Sequence, residues 1–248
     1  MKNYTLECCV DSVESALAAE EGGATRLELC ADLQLGGTTP GINLFRQVRR
    51  YCALPVNVLL RPRFGDFCYS SHELDIMTDD ATMFAAEGAN AVVIGVLRPD
   101  GTLNTAAMEQ LIAAANNIRI TLHRAFDVCA DPFATLEMAA QLGVSSILTS
   151  GQQATALLGA ALLATLHQQA GGRLEILAGS GINSRTIAPL AGVALTRAYH
   201  MSGKRTVESA MVYRKEGVPM GLPLLSEFEL WRTDAAEVAA VRGVLERL

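Results

Sequence analysis

Nowhere in its 248 residues does the chain hold the run of about 20 apolar residues that a membrane-spanning helix needs, although its mean hydropathy is +0.24. The closest stretch, Ala154 to Leu166, is short and flanked by Gln152, Gln153, His167, Gln168 and Gln169, so it reads as a buried amphipathic helix and no membrane contact is expected. Blocks of like charge are missing too. The 20 Lys and Arg and 26 Asp and Glu give a net charge of −6 dispersed along the chain, so nothing is poised to neutralise a run of phosphates, and no nucleic-acid partner is expected. No CxxC pair occurs, which argues against structural zinc. The turn Cys9, Val10, Asp11, Ser12 lacks the glycines of a dinucleotide fingerprint, so no nucleotide cofactor is expected. Glu7 stands where a secretory signal would carry its apolar core, which predicts a cytoplasmic protein whose six cysteines (8, 9, 30, 52, 68, 129) are thiols.

What is present is a repeated pattern. With 50% hydrophobic and 19% charged residues, the chain can bury a large core. Short β-type runs alternate with helical stretches, and eight strands are predicted: 4–9, 25–30, 55–60, 91–96, 119–123, 146–149, 175–178 and 194–198. Asp11 and Ser12 can cap a helix ending at Gly22 and Gly23. Asn104 opens another, and Asp131 with Pro132 a third. Gly23, Gly88 and Gly143 each precede a strand, where an αβ loop needs a left-handed stop. Eight such units predict an α/β fold, a (β/α)8 TIM barrel, with a doubly wound open sheet as the alternative. One domain is expected over 1–248, the barrel taking 1–200. The remainder, with Pro219, Gly221, Pro223 and a helix from about Asp234, is read as a cap or an oligomer contact, and a homodimer is expected from this apolar tail.

In a parallel barrel the outward side chains meet apolar helices, so charged strand residues point inward or toward the mouth. Parity then groups Glu7 with Cys9, Glu28 with Cys30, Asn57 with Leu59 and Arg61, and Thr121 with His123, toward the C-terminal strand ends where barrel active sites lie. Two interpretations stay open: a reactive site, or an ion network plugging the barrel with Arg61 balancing Glu7 and Glu28. Arg61 and Arg63 form either a clamp for a carboxylate or phosphate or a plain surface pair. The turns Thr149, Ser150, Gly151 and Gly179, Ser180, Gly181 resemble anion cradles, or are tight turns that need glycine for steric reasons. Cys9 and Cys30 end adjacent strands and face the same way, a pairing that suits Cu(I) and is equally ordinary for buried thiols. His72 and His167 are given no role.

Five motifs, Arg26-Leu-Glu-Leu-Cys30, Gly36-Gly-Thr-Thr-Pro40, Arg61-Pro-Arg-Phe-Gly-Asp-Phe67, His123-Arg-Ala-Phe-Asp127 and Leu148-Thr-Ser-Gly151, together with His200 to Gly203 and Met211 to Arg214, resemble the CutC copper homeostasis family over nearly the whole chain. The resemblance implies a cytoplasmic TIM barrel, often dimeric, linked to copper tolerance and in some members binding Cu(I) through cysteine. Cys30 is the cysteine it carries over, and Cys9 is added by strand parity. The leading expectation is therefore a copper homeostasis protein binding Cu(I) at Cys9 and Cys30. The alternative is an isomerase- or lyase-type enzyme for a small anionic or phosphorylated metabolite. It would use Glu28, His123 and Asp127 as acid–base groups, with Arg61, Arg63, Arg124, Ser150, Gly151, Gly179, Ser180 and Gly181 holding the ligand.

Overall fold

In a computed structural model of the chain, residues 4–215, 217, 218, 220–222 and 225–248 are described, so Pro219 and Pro223 lie outside the described residues. Eight parallel strands close into a barrel: β1 (Thr5–Val10), β2 (Arg26–Leu29), β3 (Val56–Leu59), β4 (Ala91–Ile94), β5 (Arg119–Leu122), β6 (Ser146–Thr149), β7 (Glu175–Gly179) and β8 (Ala198–Met201). β8 pairs with β1, setting His200 beside Glu7, and this closure leaves no unpaired sheet edge. The TIM-barrel expectation is thereby met.

Eight helices ring the barrel: α1 (Val13–Glu21), α2 (Ile42–Tyr51), α3 (Ser71–Ala86), α4 (Thr105–Ala114), α5 (Pro132–Gln141), α6 (Ala160–Ala170), α7 (Ile187–Ala194) and α8 (Ala235–Leu245). Their starts follow the local chemistry. Side chains of Ser12, Asn104, Asp131 and Asp234 accept backbone N–H bonds in the first turns of α1, α4, α5 and α8, and Pro132 takes the first position of α5. Gly23, Gly88 and Gly143 adopt the left-handed conformation ahead of β2, β4 and β6. Outward strand residues such as Leu6, Cys8 and Val10 are fully buried beneath the helices.

Two features depart from the sequence reading. Residues 194–198 do not form the eighth strand: Ala194 closes α7, Leu195 stops it in the left-handed region, and the strand begins at Ala198. The apolar run Val193, Ala194, Leu195 imitates a buried strand, but Ala194 belongs to the buried face of the helix. The segment after β8 also does more than cap the barrel. It forms a hairpin, β9 (Lys204–Glu208) with β10 (Glu229–Thr233), and then supplies α8, which packs between α1 and α7 in the eighth helical place. Among the described residues, no helix is long and apolar enough to cross a membrane.

Candidate functional site

Register fixes which side chains meet inside the barrel. Glu7 opposes His200 on one side and Arg26 on the other, Cys9 opposes Glu28, and Glu28 opposes Asn57. A connected network follows. Arg26 Nε donates to Glu7 Oε2 at 2.5 Å, Asn57 Nδ2 donates to the same oxygen at 2.9 Å, and His200 Nδ1 lies 2.8 Å from Glu7 Oε1. The other edge of the ring, Nε2, is 3.8 Å from Glu28 Oε2, which accepts from the Cys30 thiol at 3.4 Å. Below, Arg26 reaches Glu175 at the barrel's N-terminal rim. Charged groups thus run in one column from Glu175 through Arg26, Glu7 and His200 to Glu28.

The column separates its titrations. Burial works against the Glu7 charge, but His200 and Arg26 outweigh it and bring its pKa down to about 2. Burial, with Glu7 close by, raises the Glu28 carboxyl despite the attraction of His200. Burial also disfavours a charged His200, yet Cys9, Glu28 and Glu7 around it hold the ring protonated well above its ordinary range. The Cys30 thiol is pushed well up by burial and then by Glu28.

Above the column lies a cavity of about 640 Å³ at the C-terminal ends of the strands. Glu28, Cys9, Cys30 and His200 line it on the β1, β2 and β8 side, and Arg61 and His123 come from β3 and β5. Arg61 is held by the loops that the glycine-rich motifs build. It donates to the carbonyls of Gly36, Gly37 and Gly65, three glycines in left-handed conformations. His123 Nδ1 accepts from the Ala125 N–H at 3.1 Å, which places the ring proton on Nε2. Burial, reinforced by Arg61, lowers the pKa of His123 to about 3, so this ring is neutral. Among the described residues, three buried side-chain atoms have no hydrogen-bond partner: Arg61 Nε, His123 Nε2 and Tyr69 Oη.

Of the residues singled out from sequence, Cys9, Glu28, Cys30, Arg61, His123, Arg124, Ser180 and Gly181 all line this cavity. Arg63 does not. Its guanidinium is spent on Glu73, Asp66 and the carbonyls of Phe64 and Cys68, so it braces the loop after β3 and forms no clamp with Arg61. Asp127 also lies outside the cavity lining, because its carboxylate already fills the turn after β6. It accepts from Thr149 Oγ1 at 2.5 Å, from Ser150 N at 2.9 Å and from Arg124 Nε at 2.7 Å, while Gly151 N donates to Thr149. The anion cradle read at Ser150 and Gly151 thus exists with an internal anion in it. Gly179 serves packing, since a Cβ there would stand 2.5 Å from Leu148 Cδ1.

The sequence reading missed the part played by His200, whose strand it ended two residues too early, and it did not place Arg26 inside the barrel. Alternation along Ala198, Tyr199, His200, Met201 was the available signal. It also passed over Gly95, which by register extension sits between Arg61 and His123 and leaves room for the imidazole.

Among the described residues, Glu7, Glu28 and His200 are the group able to hold a metal ion, with donor atoms within 4.8 Å of one another. These oxygen and nitrogen donors suit a borderline or hard divalent cation better than Cu(I). Arg26 and the protonated His200 already compensate Glu7.

The closed barrel and its C-terminal cavity define a (β/α)8 protein with a site of the small-molecule kind. Comparison with known proteins gives the family. The CutC family model matches residues 4–205. A Bacteroides fragilis protein named as a CutC family protein is 44% identical, covering 100% of this chain and 98% of the relative. The human copper homeostasis protein cutC homolog is 38% identical over 99% of this chain and 90% of its own length. The chain belongs to the CutC family. A crystal structure of CutC from Streptococcus agalactiae superposes with a TM-score of 0.77 at 26% identity, over 81% of this chain and 99% of that one. Phosphoribosylanthranilate isomerase from Thermotoga maritima shares the fold, with a TM-score of 0.59 at 13% identity over 99% and 100% of the two chains.

Proposed function

We propose that this protein is a barrel enzyme that moves protons on a small anionic metabolite, in isomerase- or lyase-type chemistry. The observation that carries this reading is the shared cavity, with a carboxyl, a thiol and an imidazole on one side and an Arg and a neutral His on the other. Groups of unlike proton affinity held around one cavity are what acid–base catalysis requires. Glu28 is the acid–base group, His123 and Arg61 are donors, and Asp127 is a positioning residue that fixes the turn after β6 beside Arg124.

The test uses the purified full chain in D2O with an extract of small metabolites. Mass spectrometry should find one anionic compound that gains deuterium or changes structure, and Glu28→Gln should abolish that change. A complete absence of exchange or conversion would remove this reading.

A second reading, cytoplasmic copper handling, is favoured by one observation: Cys9 and Cys30 line the cavity from neighbouring strands, and all six cysteines are free thiols. The name of the human relative agrees with it. The residues fit a Cu(I) thiolate site poorly, because each thiolate would add negative charge beside Glu28 and Glu7, and Cys30 is held as the thiol. Competition titration with Cu(I) under reducing, anaerobic conditions separates the readings. Stoichiometric copper lost in Cys9→Ser and Cys30→Ser would establish carriage, and weak copper indifferent to both would remove it. Exposed Met211, Val212, Tyr213 and Met220 support the expected homodimer, which light scattering would register as twice the 26.4 kDa chain mass.

A further inference from the structure

The inference concerns Arg61 and His123, and it rests on the enzymatic reading above. Both residues are more than nine-tenths buried, at 8% and 4% exposure. Arg61 Nε and His123 Nε2 meet no acceptor at hydrogen-bonding geometry, although the Tyr69 hydroxyl, itself unpartnered, lies close to Arg61, and both residues line the cavity. A buried donor without a partner is costly, so two in one cavity call for an explanation. The two side chains are also neighbours. Leu59, Val93 and Thr121 are register partners across β3, β4 and β5, and two residues further along each strand come Arg61, Gly95 and His123. Gly95 supplies no side chain between them, and a Cβ there would stand 2.6 Å from His123 Cε1. Both flank one ring: Arg61 Cζ is 5.0 Å from the Phe67 centroid, and the His123 ring is 4.9 Å from it.

We propose that Arg61 Nε and His123 Nε2 together hold one oxygen of a planar carbonyl or carboxylate group of the substrate, the oxygen that gains negative charge during reaction. Both free groups are donors, so the ligand atom is an acceptor. Both Nη atoms of Arg61 are engaged by the carbonyls of Gly36, Gly37 and Gly65, so Nε is the guanidinium nitrogen left without a protein partner. Two donors and one positive charge match a single carbonyl-type oxygen, whereas a phosphate dianion presents three oxygens to satisfy. Phe67 packs against both side chains and fixes their common position on the cavity wall. In the chemistry proposed above, a C–H bond next to the carbonyl breaks and its proton passes to a cavity carboxylate. The electron pair spreads onto the held oxygen, where the two N–H groups stabilise it, and the proton's return regenerates the C–H bond.

The test measures oxalate binding, as a planar stand-in for such an enolate, by calorimetry on the full chain, with inorganic phosphate as the comparison. Oxalate should bind more tightly than phosphate. Arg61→Met and His123→Leu should each weaken it about 10- to 100-fold, and His123→Gln, whose amide can still donate, should restore part of the loss. The His123 Nε2 proton should shift in the NMR spectrum as oxalate is added, a signature that a purely packing role would not produce. Circular dichroism confirms that each variant folds. No oxalate binding, tighter binding of phosphate, or affinity indifferent to both residues overturns the assignment. Oxalate bound through Arg61 and His123 without deuterium exchange in any metabolite removes the enzymatic reading and keeps the subsite. Exchange unchanged in Arg61→Met and His123→Leu does the reverse.

Discussion

Replacing Asp127 with Ala tests whether its carboxylate is a structural anchor or a reactive group. The side chain is 7% exposed and accepts from Thr149 Oγ1, Ser150 N and Oγ, Gln152 N and Arg124 Nε. Three of these five partners recover easily. Arg124 is 46% exposed and re-solvates, Ser150 Oγ keeps Gln153 O as an acceptor, and Gln152 is half-buried within reach of water. The Ser150 N–H and the Thr149 hydroxyl proton, on residues 0% exposed, are left without an acceptor. At about 1–3 kcal/mol for each stranded buried donor, Asp127→Ala should lose about 2–6 kcal/mol of stability. Asp127→Asn keeps one acceptor oxygen and loses only the charge-assisted part of the bonds, about 1–2 kcal/mol. Urea melts at pH 7 followed by circular dichroism, with linear extrapolation, read both values. A loss in Asp127→Ala within about 0.5 kcal/mol of zero, the range of an ordinary surface substitution, would refute the anchor role and restore Asp127 to the list of acid–base candidates.

Further expectations concern the barrel interior. Gly95→Ala puts a Cβ 2.6 Å from His123 Cε1 and 2.7 Å from Nδ1, so a thermal melt should show destabilisation of about 1–3 kcal/mol, and the His123 NMR signals should move. Glu7 is held near pKa 2 against an ordinary 4.5, so the stability it contributes is complete above about pH 4.5 and lost as pH falls through 2. Glu7→Gln should flatten that acid limb of the stability profile, and an unchanged limb would remove Glu7 as its source. His123 has a linkage of the same sign, from a group that is neutral and not charged in the folded state. Its folded pKa of about 3 lies below the ordinary 6.5, so it subtracts stability as pH falls from 6.5 toward 3. Nitrogen-15 NMR should find its ring neutral, with the proton on Nε2, from pH 5 to 8.

Much of the barrel was legible because each βα unit writes its own local rules. Capping residues such as Asp131 with Pro132, left-handed glycines such as Gly143, and period-two strands announce themselves within about ten residues. The eighth strand failed because Val193 to Leu195 is apolar in either a helix or a strand, and only packing against its neighbours decides between them. Strand parity found Glu28, Cys30, Arg61 and His123, since inward orientation is a local property. It could not tell which donors were already taken. Arg63 looks like Arg61 in the sequence and Asp127 looks like a base, and both are consumed by partners that their own loops bring in. His200 needed β8 placed correctly, and its meaning comes from Glu7, 193 residues earlier.

That separation bears on how the protein comes off the ribosome. Glu7 and Arg26 emerge early and can pair as soon as the first two strands meet, but His200 lies in the last barrel strand and α8 follows it. Until β8 docks, β1 with Glu7 is the open edge of the sheet, and Glu28 stands one strand in from it. Ring closure is then the moment at which both carboxylates leave water and the imidazole takes up its proton between them. A chain stalled before residue 200 therefore has Glu7 paired to Arg26 but lacks His200, the group that stands between Glu7 and Glu28.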